Sequence, residues 1–365
     1  MRLASSSQTI LALQCLRGIA AGMVVADHLI ERLVRRGVYP EQDFSYAVSL
    51  GHRGVAVFFV ISGLIMVYTT IGEFGKPGAP GRFFKRRFLR IAPLYYLTTA
   101  AMIAFHYATS GTHDLPSTRD LARSILFVPY SNGEGLLQPV YALGWTLEYE
   151  LFFYALFAIG LRFPQKVGLA LITAALLLLV GLGATVVDAN APSGPFHDIA
   201  VFFTRPIMLY FVMGVALGLA RASIGETLST RIPDWLTAAC IALALVLTAY
   251  WNERAGFLVV LACTAAAGLV TQAPPRTGWF ARFSRLLGDT SYSLYLTHSF
   301  ILGAVALLMA RAPAQGPLGL ALQCGVAFGV SLLVAMASWR WLEQPIAAWV
   351  RKLRMARVSP AALAP

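Results

Sequence analysis

Ten predominantly apolar stretches of helical length recur along this 365-residue chain. They lie near 10–31, 52–71, 88–108, 141–161, 166–187, 201–220, 234–250, 256–272, 288–310 and 317–339. About 20 such residues cross a hydrocarbon core about 30 Å thick, inside which each helix must satisfy its own backbone polar groups. The pattern predicts an all-α fold: a polytopic membrane helical bundle of about ten transmembrane helices. Charge usage agrees, because 13% of residues are charged and 58% hydrophobic, whereas a soluble domain carries about a quarter charged residues. The spans at 234–250 and 256–272 are short and separated only by WNERAG, which leaves nine or eleven crossings open.

The net charge of +12 does not call for nucleic acid as a partner, since the basic residues track the loops between spans. Sorting them by alternate loops places roughly twice as many on the N-terminal side of the bilayer as on the other, which puts both termini in the cytoplasm. Cys15, Cys240, Cys263 and Cys324 all fall in apolar stretches without metal-ligand spacing, so neither a disulfide framework nor a metal site is expected. Arg17 interrupts the first apolar run and no small-x-small cleavage site follows, so the first helix should be retained. One membrane domain is expected over residues 1–345, followed by a basic cytoplasmic tail over 346–365 that is partly disordered. No appended soluble domain is expected, and internal repeats are not evident.

Ionisable residues inside a span are functional candidates by default. Arg17 and His28 share the first span at a separation close to three helical turns, which puts both on one stripe roughly 16 Å apart along the axis. In GRFFKRRFLRIAPLYY, Arg87 and Arg90 are one turn apart at the inner mouth of the third span. They can act as a positive-inside stop or as a bidentate phosphate clamp. Phe58, Phe59, Ser62 and Gly63 in GVAVFFVISGLIM can serve helix packing or line a narrow passage for a thioester arm. WTLEYELFFY carries Glu148 and Glu150, whose side chains diverge on a helix. One can face the bundle and orient His28 while the other faces loop or water. SYSLYLTHSF aligns Ser291, Tyr295 and His298 along another span. His52, His106, His113 and His197 lie in loops or at span ends and have weaker claims. No GxSxG, HExxH, GxGxxG or P-loop pattern occurs.

Taken together and in order, LRGIAAGMVVADH, GVAVFFVISG, RRFLRIAPLYY, GWTLEYELFFY and LGDTSYSLYLTH resemble the acyltransferase 3 family of integral membrane acyltransferases over nearly the whole chain. Arg17 and His28 match its R/K-x10-H signature, and Arg87 with Arg90 its RxxR element. The family pattern W-S/T-L-x-x-E-x-x-F-Y selects Glu150 over Glu148 and includes Trp145 and Tyr154, while WLEQP resembles its Glu-x-Pro ending and brings in Glu343. GHRGVAVFFVISGLIMVYTT and LGWTLEYELFFYALF look most like the branch that O-acetylates bacterial exopolysaccharides.

The resemblance implies catalytic roles for His28 and Glu150. It implies contacts to acyl-CoA, above all acetyl-CoA, from Arg17, Arg87, Arg90, Phe58, Phe59, Ser62 and Gly63. Acceptor or supporting roles fall to Trp145, Tyr154, Ser291, Tyr295, His298 and Glu343. The expected setting is the bacterial inner membrane, with no tightly bound cofactor. The expected partners are acyl-CoA, a carbohydrate or lipid-linked saccharide, the lipid bilayer, and polysaccharide assembly machinery or a second copy of the chain. A transporter or flippase that uses the buried Arg, His and Glu set is the rival that composition alone allows.

The orientation is testable by labelling. A cysteine introduced at Lys76 should react only from the cytoplasmic side, and one at Gly111 only from outside. Labelling from the opposite faces would invert the assigned orientation.

Overall fold

The structure, a computed structural model, describes residues 11–38, 50–110, 115–188, 191–224, 278–311 and 316–349. Its helices are α1 (Leu11–Arg35), α2 (Leu50–Thr70), α3 (Ala79–Ser110), α4 (Thr118–Leu126), α5 (Trp145–Gly160), α6 (Gln165–Val186), α7 (Pro195–Phe203), α8 (Leu209–Ile224), α9 (Trp279–Arg311) and α10 (Gly316–Ser338). A π-helical turn, Trp339–Glu343, continues from α10. Among the described residues, seven helices are long and apolar enough to cross a membrane. An eighth crossing forms if the pair Pro195–Phe203 and Pro206–Ala222, bent by 47°, counts as one span. Pro206, which has no N–H and a fixed φ, stands at that break. Eight of the ten expected stretches thus coincide with described helices, and those at 234–250 and 256–272 lie outside the described residues.

The segment between α3 and α5 contains α4. Ser117 caps it by accepting a hydrogen bond from the Asp120 N–H at 3.1 Å. The signal was present as Ser-x-x-Asp ahead of a short apolar run.

Lipid-facing and central helices separate by exposure. Of the apolar window of α2, 72% is buried, against 22% for α6 and 28% for the last span. Leu177, Leu178 and Leu182 of α6 and Leu318, Leu322 and Leu333 of α10 are exposed, as lipid-facing residues would be. Behind α6, an aromatic core joins α2, α3, α5, α7 and α8: Phe59 stacks on Phe211 at 4.4 Å between centroids, Phe153 on Phe211 at 4.3 Å, and Tyr149 on Phe202 at 4.1 Å.

The other half of the bundle is built on α1 and α9. Gln14 Nε2 donates to Asp289 Oδ1 at 3.2 Å, and Arg32 donates to the Ser299 carbonyl and Oγ at 2.8 and 2.7 Å. Because these pairs ascend together in both helices, α1 and α9 run parallel.

Gly63, read from sequence as a packing residue or as part of a ligand passage, lies at the crossing of α2 with α8, where an added Cβ would stand 2.5 Å from the Phe211 carbonyl oxygen and 2.9 Å from Gly214 Cα. Its lack of a side chain lets two backbones touch, the packing use of small residues in membranes. Gly63→Ala should therefore lower thermal stability in detergent by roughly 1–3 kcal/mol. Gly81→Ala, a position with no neighbouring atom within 4 Å, should leave it unchanged or slightly raised. Equal midpoints for the two variants would remove the packing role.

Candidate active site

Two cavities lie in sequence along α1. The narrower, about 100 Å³, is lined by Arg17 from α1, Arg87 and Arg90 from α3, and Glu150 and Tyr154 from α5. Phe58, Phe59 and Ser62 of α2 and Ser291 and Tyr295 of α9 complete its wall. Arg90 is exposed and stands at its mouth, whereas Arg87 is half-buried. The Arg87 guanidinium lies 5.8 Å from the Phe83 ring and 5.9 Å from the Tyr154 ring, so two aromatic faces support a cation in apolar surroundings.

Tyr154 donates its hydroxyl proton to Glu150 Oε1, and Ser62 Oγ lies 3.4 Å from both that oxygen and the Tyr154 hydroxyl. Arg17 donates to Gln14 Oε1 at 3.1 Å and is within electrostatic reach of Arg90, Asp289, Glu343 and Glu150. Three guanidinium groups and one carboxylate line this cavity, an excess of positive charge that favours an anionic occupant.

The wider cavity, about 1060 Å³, is lined by His28 and Asp27 of α1, His52 of α2, Trp145 of α5, and His197 and Asp198 of α7. Asp198 anchors its rim by accepting from the backbone N–H groups of Ser131 and Gly194 at 2.9 and 3.3 Å, and from Ser193 Oγ at 2.9 Å. His52 and Trp145 face each other with ring centroids 6.4 Å apart. Polar groups interleaved with an indole suit a hydroxyl-rich ligand.

Val55 and Tyr295 line both cavities and form the wall between them. Tyr295 is held at both valences of its hydroxyl: it donates to the Leu143 carbonyl at 3.0 Å and accepts from Thr146 Oγ1 at 2.9 Å. Phe58 meets the same ring edge-on, with centroids 6.4 Å apart. On the wide side of this wall, His28 Nδ1 lies 2.8 Å from Nε2 of His298, which is fully buried.

Several expectations are corrected by this arrangement. The expected carboxylate partner of His28 is replaced by His298, because the register of α5 turns Glu150 toward the arginines. Glu148, expected to face loop or water if Glu150 faced the bundle, is itself only 1% exposed, and neither of its carboxylate oxygens has a hydrogen-bond partner among the described residues.

Glu343 does not line either cavity. It accepts from Ser293 Oγ at 2.8 Å, brought inward by the π turn. Ser291 lines the narrow cavity, although its Oγ donates to the Gly288 carbonyl at 2.8 Å. Asp27, His52, His197 and Asp198 were not among the expected site residues. His52 and His197 have weaker claims from sequence, in loops or at span ends, and the adjacency of Asp27 to His28 in ADH is the signal that could have pointed to Asp27.

Comparison with known proteins bears on the family of the chain. The model of the family described as "Acyltransferase domain" matches residues 10–340. The chain is 31% identical over 321 residues to the exopolysaccharide production protein ExoZ of Rhizobium meliloti (strain 1021), covering 85% of this chain and 93% of that one. It is 25% identical over 342 residues to the acyltransferase MdmB of Streptomyces mycarofaciens, covering 88% of this chain and 85% of that one. No solved structure matches. A family match over most of the chain, on a bundle whose helices are long and apolar enough to cross a membrane several times, sets the transporter reading aside: the chain belongs to the acyltransferase 3 family and is a multi-pass membrane acyltransferase.

Proposed function

We propose that this protein moves an acetyl group from cytoplasmic acetyl-CoA to a hydroxyl of an exported or cell-surface polysaccharide, with His28 as general base. The observation that carries this reading is the pair of cavities sharing one wall: three arginines line the first and His28 lines the second. In this reading the diphosphate and ribose phosphate of the donor meet Arg87 and Arg90 at the inner mouth, with Arg17 deeper in the same passage. The thioester reaches the wall at Phe58 and Tyr295 while the saccharide enters the wide cavity.

Neutral His28 takes the proton of the acceptor hydroxyl as its oxygen bonds to the carbonyl carbon. The carbon–sulfur bond breaks, and the proton passes to the departing coenzyme A thiolate. Glu150, hydrogen-bonded by Tyr154 and set among the arginines, offsets part of the positive charge on the donor side. Trp145 offers an apolar face to a sugar ring. The part that ExoZ takes in exopolysaccharide production favours a polysaccharide acceptor over a small molecule. The setting is the bacterial inner membrane with both termini cytoplasmic. The protein works beside polysaccharide assembly machinery or as a homodimer, on either a lipid-linked saccharide or a growing chain.

Mass spectrometry of surface polysaccharide from cells with and without the protein tests the acceptor and the group together, and unchanged acetylation overturns both. In purified protein, His28→Ala should abolish transfer while leaving acetyl-CoA binding intact, since a base is lost with little packing volume. Transfer near the wild-type rate would remove His28 from the mechanism.

Arg87→Lys and Arg90→Lys keep the charge and orientation signal but lose the planar fork. Each should weaken donor binding tenfold to hundredfold, the equivalent of roughly 1.5–3 kcal/mol for one charge-assisted contact. Unchanged affinity in both would leave these arginines as orientation signals only.

A further inference from the structure

Among the described residues, the hydrogen-bond chain behind His28 contains no carboxylate. It starts at the Leu294 carbonyl, passes through the buried His298 ring and ends at His28, with contacts of 3.1 Å at His298 Nδ1 and 2.8 Å between His298 Nε2 and His28 Nδ1. A carbonyl oxygen only accepts, so His298 Nδ1 carries the proton at the first contact. In a neutral imidazole that leaves Nε2 of His298 as an acceptor, and His28 Nδ1 must then donate to it. The one nitrogen left with a free lone pair is His28 Nε2, on a ring that lines the wide cavity.

We infer that His298 is a positioning residue that holds His28 in the Nδ1–H tautomer, a task that carboxylates perform in catalytic triads. The inference rests on the general-base reading of His28 given above. His298 is fully buried and lines neither cavity, so it acts through His28 alone and touches neither substrate.

The surroundings fix this geometry in three ways. The imidazole planes lie within 8° of parallel, with centroids 5.1 Å apart, so neither ring can turn without losing the bond. One turn above His28, Arg32 clamps α1 to the carbonyl and hydroxyl of Ser299, the residue after His298. One turn before His298, Tyr295 is locked by Leu143 and Thr146. The hydroxyl proton taken at Nε2 therefore arrives on a ring whose opposite N–H already points at a lone pair, which stabilises the imidazolium as it forms.

Two neutral amides separate this role from simple packing. In His298→Asn the side chain still reaches the Leu294 carbonyl but has no atom at the ε position, so His28 loses its acceptor. In His298→Gln an ε oxygen stands where the ring nitrogen did and can accept from His28 Nδ1–H.

With the full-length protein and acetyl-CoA, His298→Asn should lower kcat by roughly a hundredfold or more and leave KM for acetyl-CoA within about twofold. His298→Gln should recover at least tenfold of that loss. Because both amides impose a similar cost of burial, equal kcat values for the two overturn the inference, as does an Asn variant as fast as wild type. His28→Ala run in parallel keeps the two levels apart. An active His28→Ala overturns the general-base reading itself. An inactive His28→Ala beside a fully active His298→Asn overturns only the role given to His298.

Discussion

The parallel pairing of α1 with α9 is the constraint on which the rest of the site depends. Polar side chains join the two helices along their length: Gln14 to Asp289, His28 to His298, and Arg32 to Ser299. Between them Gly18 admits the Leu287 side chain, which an added Cβ would meet at 2.6 Å. In a hydrocarbon core apolar contact alone cannot select one helix partner, because lipid tails are as apolar as leucine. A buried donor or acceptor without a partner is costly there. The part-buried pairs His28–His298 and Arg32–Ser299 therefore favour this helix partner and register, and the register places the imidazole and guanidinium of α1 in different cavities.

That separation gives the two cavities different chemical characters. Arg17, Arg87 and Arg90 concentrate positive charge in the narrow cavity, where Glu150, held by the Tyr154 and Ser62 hydroxyls, offsets part of it and the Phe83 and Tyr154 rings support Arg87. The wide cavity mixes carboxylates and imidazoles with one indole. Between them stands a wall of aromatic and aliphatic groups whose polar tip, the Tyr295 hydroxyl, is fully used by Leu143 and Thr146. A tyrosine held at both valences keeps its place, and a wall with no unpaired polar group excludes water well. An acyltransferase needs such exclusion, since water competes with the acceptor hydroxyl for a thioester.

Backbone contact at the crossing of α2 with α8 supports this arrangement from the opposite side. Gly63 and Gly214 bring the helices together so that Phe59 can stack on Phe211, and that stack extends to Phe153 of α5. The central position of α2 follows, and with it the placement of Val55 and Phe58 at the junction of the cavities. A residue legible in the sequence as part of a ligand passage thus contributes by fixing the helix that carries the passage.

Apolar length and composition determined, from the sequence alone, an all-α membrane bundle and the positions of seven described helices long enough to cross, because the requirement that lipid imposes on a helix is local. The ordered motifs likewise identified the family, and Arg87 with Arg90 was legible as a pair with Arg17 in the same passage, whereas Tyr154 was legible only as a supporting residue apart from them. The tertiary structure alone decided which face of α5 meets which neighbour, and so placed Glu150 with the arginines and His298 beside His28. It also buried Glu148 and, of the two uses open to Gly63, selected the helix crossing. Each of these depends on the rotation and register of helices up to 270 residues apart, which helical periodicity leaves open and long-range packing of side chains settles.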